Sequence, residues 1–328
     1  MLAVANVVTL GADLGGMADV THLLTGVSAS VWTVVYAAGV AAVLLFLGYS
    51  KIERLLRWLC LALFAYVIAG FLAKPDWSVV AANTVVPRVQ WTRDYLSTLV
   101  AILGATMSPY FLFWQASQAV EVEYSKGRRT VAQRKGATRA ELEATKVDVF
   151  AGSFVSKMIT YFITVTAAAS LFTNGQREVK TVKDAAVALK PVAGESAFLL
   201  FAIGVLGTGL LAVPVLAGSC AYAWSEAMRW RASLEEKPYY APKFYTVLLL
   251  AVVIGVGFIY AGFDAVQMLF WASVLNGILA PVCILLVVLL TTDGRLMQGR
   301  VSGGWMRLFG WMAFAVTAAA AVALIVSR

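Results

Sequence analysis

Long apolar runs alternate with short polar segments nine times along this chain. The runs fall at about 2–24, 31–48, 55–73, 94–120, 147–172, 196–225, 244–262, 264–290 and 305–326. Most reach the roughly 20 residues that a helix needs to cross a bilayer. The stretch from Ser196 to Ser225 holds no charged side chain at all. A segment in lipid must satisfy its own backbone, so every run is predicted to be a helix. The run at 264–290 is less uniformly apolar than its neighbours, because it opens on Asp264 and carries Asn276-Gly277 and Pro281. Two polar segments are long enough to have structure of their own, at 122–146 and 173–195. In the first, Lys126 to Lys146 is basic and helix-compatible, which predicts a solvated helix with anionic lipid as an alternative contact. In the second, the pattern from Val179 to Leu189 predicts a short amphipathic helix lying on the outer surface.

Composition removes the soluble alternative. Hydrophobic residues make up 61% of the chain and charged residues 13%, with a mean hydropathy of +0.80. Globular domains sit nearer half apolar and a quarter charged. The chain is therefore read as one polytopic membrane domain, 1–328. The net charge of +8 does not point to nucleic acid, because the charges fall between the apolar runs. Lys and Arg concentrate in alternate loops: Lys51, Arg54 and Arg57; seven from Lys126 to Lys146; Arg229, Arg231, Lys237 and Lys243; and Arg295, Arg300 and Arg307. Positive charge is retained in the cytoplasm. This predicts a cytoplasmic N-terminus, a C-terminus outside, and a place in the cell membrane. Cys60, Cys220 and Cys283 lie in separate runs without ligand spacing and read as small buried hydrophobes. The first residues lack the basic leader of a cleavable signal peptide. Nothing resembles a His-rich metal cluster, a nucleophile elbow or a phosphate loop, so no enzyme, catalytic residue or cofactor is expected.

The run at 94–120 is interrupted by Gly104-Ala-Thr-Met-Ser-Pro-Tyr110. Proline removes a backbone donor and clashes with the carbonyl four residues back. Irregular backbone at membrane depth lines protein or a wet cavity, and broken helices build the sites of many transporters. A plain proline kink is the alternative. Charges inside the runs also need a reason, since each costs roughly 2.5–3.5 kcal/mol at the bilayer centre. Asp13 stands midway along the first run, and Asp19 nearer its outer end. Lys157 lies about ten residues into its run, where its stem can snorkel or its ammonium can join a site. His22, the single histidine, reads as a packing or interfacial group. Gln115 and Gln118 follow the break by one and two turns, facing either a vestibule or neighbouring helices. Glu121 and Glu123 close that run and read as a solvated cluster. Gly204, Gly207 and Gly209 suit close helix packing.

Together these pieces resemble the Nramp family of divalent-metal transporters, in its bacterial Nramp-like branch. Gly11-Ala-Asp-Leu-Gly-Gly16 looks like the family's third helix. The stretch from Gly104 to Gln118 looks like its broken sixth. Gly204 to Ser219, with Ala221-Tyr222-Ala223 and Glu226, looks like the eighth, and Asn276-Gly-Ile-Leu-Ala-Pro281 like the tenth. The resemblance implies an all-α, leucine-transporter-like inverted-repeat bundle, with the nine runs as family helices three to eleven. The first two, and the Asp-Pro-Gly motif of the first, have no counterpart here. Either Met1 is an internal methionine of a longer chain or the chain is naturally short.

Aligned on Pro109, the family's metal-binding Ala carbonyl and Met thioether fall on Ala105 and Ser108. A hydroxyl in place of a thioether shifts preference from soft transition metals toward hard Mg²⁺ or Mn²⁺. Met107, one residue away, turns about 100° from that face. The resemblance adds Asn276 as a polar group near the metal and Asp13 on a proton route. Tyr110 stands where the family has His. The expected function is import of divalent cations of the Mn²⁺/Fe²⁺ class, with Mg²⁺ included, coupled to protons. The expected partners are the metal as substrate, protons and membrane lipid, with no nucleic acid and no cofactor. The competing expectation is a truncated, transport-inactive remnant or a membrane structural protein.

Overall fold

The computed structural model of the protein describes residues 1–47, 49–86, 91–128, 130, 132–133, 136–169 and 182–326. Arg88, Arg129, Arg134, Lys135, Arg177, Lys180 and Arg328, and the part of the outer segment at 173–181, lie outside the described residues. Twelve α-helices make up the fold, with no strand among the described residues. They are α1 (Leu2–Thr25), α2 (Ala29–Phe46), α3 (Tyr49–Leu59), α4 (Phe64–Leu72), α5 (Trp77–Val85), α6 (Arg93–Thr106), α7 (Pro109–Ser125), α8 (Arg139–Ala167), α9 (Val182–Ala227), α10 (Pro242–Tyr260), α11 (Ala265–Thr292) and α12 (Gly304–Val326). A tight 3₁₀ segment, Cys60–Leu63, joins α3 to α4 into one span, and α6 with α7 forms another.

Among the described residues eight spans are long and apolar enough to cross a membrane, so this is a multi-pass membrane protein. The expected first span, α1, has the length but not the apolarity. Asn6, Asp13, Asp19 and His22 interrupt it. It tolerates them because other helices enclose it: α2, α9, α10 and α11 all pack on α1. A helix shielded by protein need not match the lipid. Around it, Leu10, Leu14 and Met17 meet Leu44 of α2, Leu216 and Ala217 of α9, and Phe244 and Leu248 of α10.

Apolar burial drives little between helices already in lipid, so close fit carries the packing. The glycines of α9 provide it. A Cβ on Gly204 would meet the Tyr66 ring at 2.5 Å, on Gly207 the Ala62 side chain at 2.6 Å, and on Gly209 the Met17 side chain at 2.5 Å. The packing role read for them is what the structure has.

Three boundaries differ from the hydropathy. The segment between α4 and α6 carries an unpredicted helix, α5, whose first turn is capped by Asp76 accepting from the Ser78 and Val79 N–H groups. Among its described residues, the basic segment Lys126–Lys146 is helical from Arg139, as the opening turns of α8. There Thr138 and Glu141 form a reciprocal capping box, which favours a start at Arg139. Before the next span the chain is helical from Val182 and continues unbroken into it, so the expected surface helix and the span are one element, α9.

A candidate ion site at a helix break

The break between α6 and α7 follows from two neighbouring residues. The residue before a proline is pushed out of the helical region, and proline is favoured as the first residue of a new helix. Met107 turns to φ −124°, ψ 47°, Ser108 is extended at φ −61°, ψ 122°, and Pro109 opens α7. In an unbroken helix the Ala105 carbonyl would accept from residue 109, which has no N–H.

The last carbonyls of α6 therefore need other donors. Leu103 receives the Met107 N–H at 2.9 Å. The Ser108 hydroxyl turns back instead of capping α7, lying 2.8 Å from the Gly104 carbonyl and 3.2 Å from that of Ala105. The Thr106 carbonyl receives the Lys157 ammonium of α8 at 3.0 Å. Ala105 and Ser108, predicted as ligands, are thus adjacent oxygens on the open side of the break. The negative end of the α6 dipole points at the same spot, which favours a cation. Met107 faces outward, 42% exposed.

Backbone contact with α11 fixes the break in place. A Cβ on Gly104 would lie 2.0 Å from the Ser273 carbonyl oxygen and 2.3 Å from the Gly277 nitrogen; one on Gly277 would lie 2.2 Å from the Val100 carbonyl oxygen. Only glycine allows this approach. Asn276 precedes that contact directly. It is buried, and its Oδ1 has no hydrogen-bond partner. An orphaned buried acceptor needs a water or an ion to complete it, so its chemistry fits the role expected. Among the described residues no hydrogen bond joins Asn276 to Ala105 or Ser108. The helix around it is continuous, with Pro281 inside.

Asp13 lies on α1, facing a cavity of about 200 Å³ whose walls include Tyr66, Phe201, Thr208 and Gly209. Tyr66 and Thr208 thus share the wall of that cavity with Asp13. Tyr110, the second residue of α7, follows Ser108 and Pro109 at the break. A larger concavity of about 540 Å³ between α1, α9 and α10 has walls such as Val7, Trp224, Val247 and Ile254 and offers no set of oxygen donors. Among the described residues no three His, Cys, Asp or Glu converge. A cation at the break would be held by neutral oxygens.

Two expectations change. Glu121 is not part of a solvated cluster: it is 1% exposed and accepts from the Tyr222 hydroxyl at 2.7 Å, the Ser233 hydroxyl at 2.9 Å and the Leu234 N–H at 3.0 Å. Three converging donors explain how a carboxylate is tolerated there. The bonds tie the C-terminal end of α7 to α9 and to the segment before α10. Glu123, by contrast, pairs with Lys126 and Arg128, and both bases also reach Glu141. Lys157 does not only snorkel, since its ammonium ends on the break. Asp19 is half-buried, and the His22 Nδ1 lies 2.8 Å from the Val27 carbonyl oxygen, an interhelical turn contact.

Comparison with known proteins agrees with this geometry. The sequence profile of the Nramp family, described as natural resistance-associated macrophage protein-like, matches residues 1–327. The divalent metal cation transporter MntH of Pectobacterium carotovorum is 23% identical over 314 residues, covering 93% of this chain and 70% of that protein. Its namesake in Listeria innocua is 24% identical over 307 residues, covering 92% and 66%. The manganese transporter of Eremococcus coleocola, crystallised with an aromatic bis-isothiourea compound, superposes with a TM-score of 0.65 at 17% identity, over 98% of this chain and 70% of that one. The bundle is thus the leucine-transporter-like fold expected. With a family profile matched along its whole length and the fold in common, this chain belongs to the Nramp family, whose members are transporters and not enzymes.

Proposed function

We propose that the protein imports divalent metal cations, with the break at Met107–Ser108 as the ion's stopping point. The observation that carries this is a pair of adjacent oxygens, Ala105 carbonyl and Ser108 hydroxyl, set beside the C-terminal end of α6 inside a span. The two similar MntH proteins are named as divalent metal cation transporters and the similar structure as a manganese transporter. Asn276, with its unpartnered Oδ1, supplies a third oxygen. A carbonyl, a hydroxyl and an amide are hard donors, so Mn²⁺ and Mg²⁺ are preferred over Cd²⁺. Asp13, in its cavity, carries the coupled proton. The N-terminus lies in the cytoplasm and the C-terminus outside.

Uptake of Mn²⁺, Mg²⁺ and Cd²⁺ into vesicles containing the purified protein tests this. Mn²⁺ and Mg²⁺ are expected to enter. Removing one oxygen with Ser108→Ala, worth about 1.5–3 kcal/mol for a bond to a charge, weakens uptake roughly tenfold or more. Ser108→Met shifts preference to Cd²⁺. A wild type that strongly prefers Cd²⁺ overturns the hard-donor assignment. One observation favours a second reading: the carbonyls freed at the break already have donors from Ser108 and Lys157, as in a helix joint without cargo. Uptake of none of the three ions selects that reading.

A further inference from the structure

We propose that Lys157 is a tethered cation that competes with the transported ion at the break and so sets its apparent affinity. This rests on the assignment of the break as the ion's stopping point. The Lys157 ammonium donates to the Thr106 carbonyl at 3.0 Å. Thr106 is the last residue of α6 and directly follows Ala105, so the amine sits at the carbonyl end of the helix, where the dipole is negative and a cation is favoured. The contact bridges 51 positions of sequence and is the ammonium's recorded partner. No carboxylate pairs with Lys157 among the described ion pairs. Asp148, the acidic residue nearest to it on α8, is nine positions away.

An ammonium is a compact point charge with three donors on a flexible stem. It does at Thr106 what a metal would do at Ala105, meeting helix-end carbonyls that lack N–H donors. The two positive charges lie on consecutive carbonyls and repel each other. A divalent ion seated on Ala105 and Ser108 therefore drives the Lys157 stem off Thr106. The side chain is exposed, so the stem has room to swing. Occupation of the break becomes an exchange of one cation for another, which weakens binding and speeds release of the ion. Lys157 thus acts as a specificity-determining residue: ions that bind the oxygens weakly fail to displace it.

The test is the kinetics of Mn²⁺ uptake into vesicles for wild type, Lys157→Met and Lys157→Arg. Methionine keeps the apolar stem and removes the charge; it is expected to lower KM for Mn²⁺ roughly tenfold or more, since a unit charge beside a divalent ion is gone. The maximal rate stays or falls. Arginine keeps the charge and is expected to hold KM near the wild-type value. A purely structural lysine would lower expression or rate without lowering KM. Should Lys157→Met misfold, Lys157→Gln gives the same comparison, and covalent labelling of the Lys157 amine in the wild type gives a second one. Labelling is expected to rise as Mn²⁺ is added. Uptake by the wild type with unchanged KM in the neutral variants and Mn²⁺-independent labelling overturns the inference and leaves the site standing. No Mn²⁺ uptake by any variant overturns both.

Discussion

Glu121 offers a prediction whose size can be worked out. Its carboxylate is buried near the C-terminal end of α7 and accepts three bonds, from Tyr222, Ser233 and Leu234. Glu121→Ala removes the acceptor and leaves the donors. Leu234 keeps a partner, because its N–H also reaches the Tyr222 oxygen at 3.1 Å. Two hydroxyl donors remain, on Tyr222 and Ser233, each 4% exposed. At about 1–3 kcal/mol per stranded buried donor, the loss is roughly 2–6 kcal/mol. Water entering the space left by the side chain relaxes the cost toward the lower half of that range. Glu121→Gln behaves differently. Its carbonyl oxygen still accepts from Tyr222 and Leu234, and its amide can donate to the Ser233 oxygen once that hydroxyl turns. The expected cost is about 1 kcal/mol or less, the margin between charged and neutral bonds offset by the easier burial of an amide. Thermal unfolding of the purified protein in detergent reads the ranking: wild type and Glu121→Gln close together, Glu121→Ala well below. Because these bonds hold α7 against α9, uptake should fall in the same order. Equal melting of the alanine and glutamine variants would refute the argument, since it would mean that the three bonds do not hold α7.

Three further outcomes follow. Gly104→Ala places a methyl on the α11 backbone, where the nearest atom would be at 2.0 Å; overpacking of this kind costs about 1–3 kcal/mol or more, and uptake should drop far more than with Ala105→Gly, both read by melting and flux. Asp13→Asn should leave Mn²⁺ binding in place and abolish metal-driven proton entry, followed with a pH dye inside vesicles; unchanged acidification would refute the proton assignment. At the start of α5, the Ser78 hydroxyl and the Val79 and Ser78 N–H groups hold the Asp76 carboxyl below its ordinary value of 3.8. With its folded value depressed, the cap of α5 is fully present above the unfolded value and lost as pH falls through the lowered one, so an NMR titration of Asp76 should have its midpoint below that of Asp76 in Ser78→Ala.

Much of this was legible along the chain because each signal is local. Apolar length marks the spans, and Pro109 marks the break by removing one donor. Asp13 stands out as a charge inside an apolar run, and Gly204, Gly207 and Gly209 announce close packing, the first two on the Ala62–Tyr66 stretch and the third on Met17. What stayed hidden depends on distant partners. Nothing near Glu121 tells of Tyr222 and Ser233, more than a hundred positions on, so a carboxylate at a helix end looks solvated. Gly104 reads as part of the break, yet its constraint comes from Gly277. Lys157 was visible as an odd charge, but its target carbonyl was not. The first span shows the limit of hydropathy itself: α1 is the most enclosed helix, and for that reason the least obliged to be apolar.

The central claim is that the oxygens freed at Met107–Ser108 receive the transported ion. Crystals of the protein soaked in Mn²⁺, with anomalous scattering recorded at the manganese edge, test it most directly. The account predicts a peak about 2.0–2.6 Å from the Ala105 carbonyl oxygen and the Ser108 Oγ, as for hard cations on oxygen ligands, with the Lys157 amine displaced from Thr106. A peak elsewhere in the bundle, with the Ser108 hydroxyl still on the Gly104 and Ala105 carbonyls, would contradict it.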